Sequence, residues 1–193
     1  MQKKAIETFY PADRSQWRQW LQEHHNTKES IWLIYYKKKA DRATITWSDA
    51  VDEALCFGWI DSTARPIDDE KFMQFFTRRK ANSVWSKINK GKVQRLIAEG
   101  LMTPAGDECI EVAKGNGSWS ILDDVEELKI PEDLEKAFRS QRGAKAYFTG
   151  LSKSVRKGML QWLVLARRPE TRQKRIAEIA ALAAQQLKPK QFR

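Results

Sequence analysis

An α+β fold is what this sequence predicts: a small three-stranded sheet in the N-terminal half packed with helices, followed by a basic helical C-terminal part. Three observations carry that expectation. Residues 30–36, SIWLIYY, are continuously apolar, β-branched and aromatic, as suits a strand buried on both faces. From Ser83 onward, helix starts and stops follow one another without strand-like alternation. The charge is also segregated: residues 129–193 hold 16 Lys+Arg against 5 Asp+Glu, net +11, while residues 1–128 hold 19 against 20, net −1. These shifts divide the chain into a body over 1–128 and a basic part over 129–193, expected to dock on the body as one compact unit.

The elements follow in order. Residues 13–25, DRSQWRQWLQEHH, predict a first helix, capped by Asp13, with Trp17, Trp20 and Leu21 at helical spacing. After the strand at 30–36, Lys37–Lys39 return the chain to water. Thr46-Trp47-Ser48-Asp49 is a capping box, and the helix it opens stops at Gly58. WIDSTARP (59–66) and KFMQFFTRR (71–79), joined by a turn at Pro66–Asp69, predict a hairpin. The helix between the first two strands permits a crossover. Ser83 or Asn82 is placed to cap a helix ending at Gly100. Thr103-Pro104 opens the next, which ends at Gly115 or Gly117. A looser stretch, SWSILDDVEELKIP, precedes the basic part. There Pro131 starts a short helix, and Ser152 caps another with Val155, Met159, Trp162, Leu163 and Ala166 on one face. Pro169 opens the last, with Ile176, Ile179, Ala183 and Leu187 as its stripe.

Composition narrows the function classes. The chain has 193 residues, net charge +10, 41% hydrophobic and 31% charged residues, which excludes disorder, collagen and a disulfide scaffold. No apolar run approaches the ~20 residues of a membrane span, and no apolar segment follows Lys3 and Lys4 to make a leader. The two cysteines, Cys56 and Cys109, fit a reducing compartment, so the expected location is cytoplasmic. No zinc-type spacing, dinucleotide fingerprint or Gly-rich phosphate loop is present, so no metal or cofactor is expected.

Three stretches together resemble one family. They are Ala54-Leu55-Cys56-Phe57-Gly58-Trp59-Ile60-Asp61, then Ser83-Val84-Trp85-Ser86-Lys87-Ile88-Asn89, then Glu170-Thr171-Arg172 followed by Arg175-Ile176. In this order they resemble the YdeI/OmpD-associated, or bacteriocin-protection, proteins, and the C-terminal part is similar to YdhG-like proteins. One departure is visible: where the family usually reads Phe-Thr-Pro-Arg, this chain has Phe76-Thr77-Arg78-Arg79, so Arg79 carries over and Arg78 is extra. The resemblance implies protection against bacteriocins or an outer-membrane porin partner. The lack of an apolar leader argues against the porin.

Individual residues sharpen the expectations. Cys56 falls in the last turn of its helix, where the dipole disfavours a thiolate, and apolar neighbours favour burial. Strand alternation puts Asp61 on one face with Trp59, and a carboxylate there needs a cation or several donors. Ser86 and Asn89, beside Trp85, share a helix face near its start. The only histidines, His24 and His25, sit at a helix end, too isolated for a serine triad or a metal site. Arg172 and Arg175 oppose the dipole of their own helix, yet extend its inward stripe, so they require an anion. The eight tryptophans fall mostly on apolar stripes, as core residues.

The expected function is therefore a polar seam that binds a small anionic or polar ligand through Trp59, Asp61, Arg79, Trp85, Ser86, Asn89, Arg172 and Arg175. The stress- or bacteriocin-protection role comes from the resemblance alone. A second reading is a salt-sensitive, sequence-tolerant nucleic-acid or polyanion binder acting through the basic C-terminal helices. A third is an enzyme with Asp61 as acid/base and Arg172/Arg175 holding an anionic substrate.

Overall fold

The computed structural model describes residues 6–193; Lys3 and Lys4, on which the argument against a leader rests, lie outside the described residues. The chain forms two compact units, one ending at Trp119 and the other covering Ser120–Arg193.

In the first unit the elements run β1 (Thr8–Phe9), α1 (Arg14–His24), β2 (Ser30–Tyr36), α2 (Trp47–Cys56), β3 (Trp59–Pro66), β4 (Lys71–Arg78), α3 (Lys87–Ala98) and α4 (Pro104–Gly115). The sheet has four strands in the order β1-β2-β4-β3, not the expected three. The extra strand pairs Thr8 with Trp32 and Phe9 with Leu33 in parallel; two residues are too few to show a period-2 pattern. The hairpin β3–β4 forms as expected. α2 does cross over between the parallel strands β2 and β3, but β4 enters between them, antiparallel to both.

One face of the sheet is covered and the other is not. Ile31, Leu33, Tyr35 and Phe76 pack into a core with Trp17 and Leu21 of α1 and Val51 and Leu55 of α2. The opposite face carries Trp32, Ile34, Tyr36, Met73 and Phe75, all only half-buried. SIWLIYY is thus apolar on both faces yet buried on one, contrary to the expectation of two-sided burial.

Helix α2 is the centre of the unit. Its residues Ala50–Cys56 are all buried, including two carboxylates. Glu53 pairs with Arg14 (2.5 Å) and Arg18 (2.6 Å) of α1. Asp52 pairs with Lys92 (2.6 Å) and with Arg95 of α3. Each buried charge is doubly compensated, which offsets its desolvation and fixes α2 against both neighbours. Helix α3 starts later than expected: its cap is Ser86, whose hydroxyl accepts from Asn89 N at 3.2 Å, while Ser83 accepts from Lys80 N in the preceding turn. Thr103 does not cap α4 with its side chain; its hydroxyl donates to Cys56 O at 2.6 Å, tying α4 to the end of α2.

The second unit is helical: α5 (Asp123–Glu126), α6 (Glu132–Arg139), α7 (Ala144–Gly150), α8 (Lys153–Val164) and α9 (Pro169–Ala184). The expected helices at Pro131, Ser152 and Pro169 form. α5 and α7 were not expected, being too short to display helical periodicity. Leu134, Phe138, Phe148, Met159, Leu163, Ile176 and Ile179 are buried here. Leu187 leaves the expected stripe, because α9 ends at Ala184 and Leu187 is exposed.

Candidate functional site

Where α1, α2, β4 and α4 meet in the first unit, they leave a cavity of about 270 Å³. Its walls come from His25 and Asn26 after α1, Phe57 and Gly58 after α2, Arg78 and Arg79 at the end of β4, and Glu108 and Cys109 of α4. The chain reaches this geometry through two glycines. Gly58 has φ +71°, and a Cβ there would lie 3.1 Å from Ala105 O and 3.3 Å from the Cys109 Cβ. Gly106 lets α4 approach so closely that a Cβ would sit 2.3 Å from Cys56 O. Arg79 N donates to Gly58 O at 2.9 Å, locking the end of β4 to the α2 turn.

Arg79 is the electrostatic anomaly of this cavity. Its guanidinium lies 3.6 Å from the centroid of the buried Trp85 ring, a cation–π contact. Its Nη1 donates to Val84 O at 3.2 Å, and its buried Nε has no partner. Among the described residues, no carboxylate forms an ion pair with it. Burial pushes its pKa down to about 10, against the pull of Cys109 and Asp61, so it remains a cation at neutral pH. A half-buried cation with a buried, unpartnered Nε, held by a ring and one carbonyl, is short of the acceptors that normally offset desolvation.

The neighbours are better supplied. Arg78 donates to Lys28 O (2.8 Å) and Asn26 O (2.5 Å) and stands 3.4 Å from Glu29. The Nδ1 of His25 lies 2.8 Å from Leu21 O, which leaves its Nε2 free of that bond, and Trp59 Nε1 donates to His25 O at 3.3 Å. Cys109 is half-buried, its thiol pushed up by burial against the pull of Arg79. The charged side chains lining the cavity are thus Arg78, Arg79 and Glu108, and of the two arginines only Arg78 has a carboxylate, Glu29, beside it.

The remaining expected residues have local partners. Asp61 shares the core face of the sheet with Trp59, as alternation requires, and accepts from Trp47 Nε1 (2.9 Å) and Gln74 Nε2 (3.0 Å). Its donors are therefore an indole and an amide. Trp47, read as core along with the other tryptophans, is instead exposed, with its ring N–H on Asp61. Trp85 is buried and packs on Trp119. Ser86 and Asn89 form the start of α3.

Arg172 and Arg175 lie in the second unit. Arg172 grips Asp133 with Nε (2.6 Å) and Nη2 (2.9 Å), holding that carboxyl below its usual range, and donates to Leu163 O at 3.1 Å. Arg175 donates to Trp162 O at 2.5 Å and lies over the Trp162 ring at 4.7 Å. Both carbonyls belong to the last turn of α8, so arginines unfavourable to their own helix neutralise the negative end of its neighbour. Other cations of this unit are spent on ion pairs: Lys136 with Glu132, Lys145 with Glu135 and Lys157 with Glu126.

Among the expected site residues, Arg79 and Trp85 meet at the cavity, with Trp59 linked through His25. Arg78, Glu108 and Cys109 were missed there: Arg78 directly precedes Arg79 at the end of β4, while Glu108 and Cys109 come from one further element, α4, which no spacing in the chain joins to β4. The buried pair Asp52 and Glu53 was missed too, although two adjacent carboxylates inside the apolar run of α2 are a readable signal.

No group of three or more His, Cys, Asp or Glu side chains among the described residues is placed to hold a metal ion, and no helix is long and apolar enough to cross a membrane. Residues 127–186 match the family model described as bacteriocin-protection, YdeI or OmpD-associated. No curated protein and no solved structure matches the chain. Residues 9–109, which carry the whole sheet but part of β1 together with the cavity, match the model of a domain of unknown function, DUF8412, over just more than half of the chain, and the chain belongs to that family.

Proposed function

We propose that this protein binds a small anion in the cavity beside Arg79, in a cytoplasmic protective role of the kind named by the family model that matches residues 127–186. One observation carries the reading: Arg79 is a half-buried cation whose buried Nε has no hydrogen-bond partner and which forms no ion pair with a carboxylate among the described residues; it is stacked on Trp85 at the wall of a cavity of about 270 Å³. An anion there supplies the missing acceptor, and Arg78 and the His25 ring are placed to assist. Anions bind best where donors are preorganised and water is partly excluded.

The test is thermal stabilisation by phosphate, sulfate and small di- and tricarboxylates at constant ionic strength. Wild-type protein should melt at higher temperature with at least one of them, since ligand at a hundredfold its Kd adds about 2.7 kcal/mol. Arg79→Met should leave the unfolding free energy of the free protein within about 1 kcal/mol of wild type, because it removes an uncompensated charge, and should abolish the stabilisation. An Arg79→Met protein that is still stabilised by the same anion refutes the assignment.

A further inference from the structure

The open face of the sheet has a chemistry of its own. The two central strands β2 and β4 place Trp32 opposite Phe75, Ile34 opposite Met73 and Tyr36 opposite Lys71. The Trp32 and Phe75 rings stand 5.0 Å apart, tilted by 47°. Arg65, on β3, holds its guanidinium 4.8 Å from the centroid of Trp32. At the other end, Arg42 lies 5.2 Å over Tyr36 and donates to its hydroxyl at 3.2 Å. Neither arginine forms an ion pair among the described residues, whereas Lys71 is paired with Asp68 at 3.2 Å.

Half-buried rings interleaved with uncompensated guanidinium groups are suited to one kind of partner. Aromatic faces accept the π-faces of bases without regard to sequence, and arginines beside them accept the phosphates that link those bases. Duplex bases are already stacked on one another and present no face to such a sheet. A second copy of this chain would bring Arg65 and Arg42 of both copies together, at a net charge of +10 each. From this complementarity we infer that the open sheet face is a binding platform for single-stranded nucleic acid, with bases stacked on Trp32 and Phe75 and phosphates met by Arg65 and Arg42. None of its residues lines the cavity at Arg79 or belongs to the helices after residue 129.

Fluorescence anisotropy with short labelled oligo(dT) and oligo(U), and with a duplex of equal length, tests this on the full chain. The single strands should bind more tightly than the duplex, with affinity falling by a slope on the order of −1 to −2 in log–log salt plots for two to three phosphate contacts. Trp32→Ala should weaken binding about tenfold. Arg65→Ala, at an exposed position, should weaken it by a smaller factor and flatten the salt slope. Should Trp32→Ala fail to fold, Arg65→Ala together with Arg42→Ala decides alone. The assignment is overturned by absence of binding, by a preference for duplex, or by affinity that ignores these substitutions and responds to charge changes after residue 129. Dimerisation of the wild type that Trp32→Ala abolishes would also overturn it, by showing that a second copy covers the face.

Discussion

Arg79 in the first unit and Arg172 in the second are both drawn partly out of water, yet under opposite conditions. Arg172 has a bidentate carboxylate and a helix-terminal carbonyl; Arg79 has a ring and one carbonyl. The second unit, with 16 Lys+Arg against 9 Asp+Glu, carries most of the chain's basic excess, and several of its cations are paired, with Asp133, Glu126, Glu132 and Glu135. The first unit, with 19 Lys+Arg against 16 Asp+Glu, carries less net charge but leaves the half-buried Arg79 without an ion pair among the described residues. Surplus charge and unmet charge are different quantities, and only the second marks a place where a ligand changes the energy.

The comparison holds only if buried charge in the first unit truly requires a partner. Glu53 gives the largest test. Glu53→Ala leaves Arg14 and Arg18 without their shared carboxylate and should cost roughly 3–5 kcal/mol in urea unfolding. A loss below about 1 kcal/mol would mean that guanidinium groups in this unit are content without carboxylates, and the isolation of Arg79 would lose its meaning.

Cys56 measures how dry the same region is. Burial, helped by the nearby Glu53 carboxylate, pushes its thiol up to about 11, against the cations Arg18 and Arg14. The folded value lies above that of the unfolded chain, so the unfolded state loses its proton first. Stability is therefore full below about pH 9 and falls as the pH climbs from about 9 to 11, by on the order of 2 kcal/mol. Cys56→Ala should remove that slope; a slope unchanged in the variant assigns it to another group.

In the second unit the effects should be smaller. Asp133 is exposed enough to be well screened, and the α8 carbonyls retain access to other donors. Arg172→Met should cost only about 1 kcal/mol. A loss as large as that of Glu53→Ala would erase the distinction between the two units' charges.

Parts of this contrast could be read from the chain and parts could not. The hairpin at 59–66 and 71–78 was legible because turn residues separate two β-rich runs, and the inward stripe of α9 was legible because Arg172, Ile176 and Ile179 share a face. The partner of Arg172 was not, since Asp133 lies on α6, brought near only by packing. Asp61 was correctly expected to need donors, but the nearest sequence candidates were distant arginines, while Trp47 and Gln74 meet it through the crossover and the hairpin. That Arg79 lacks a carboxylate is a property of everything around it, and no local pattern records an absence. β1 escaped notice because its two residues become a strand only by pairing with Trp32 and Leu33.

The placement of β4 between β2 and β3 has a consequence for synthesis. Tyr36 must find Lys71 and Ser30 must find Thr77, so the ladder at the middle of the sheet closes a long loop, a slow step compared with forming the local β3–β4 hairpin. Until β4 emerges from the ribosome, SIWLIYY is a seven-residue β-prone segment with its β4-side edge unpaired, the kind that self-associates in nascent or partly folded chains. Lys37, Lys38 and Lys39 follow it directly, and in that interval their like charges act as gatekeepers, holding one growing chain away from the next.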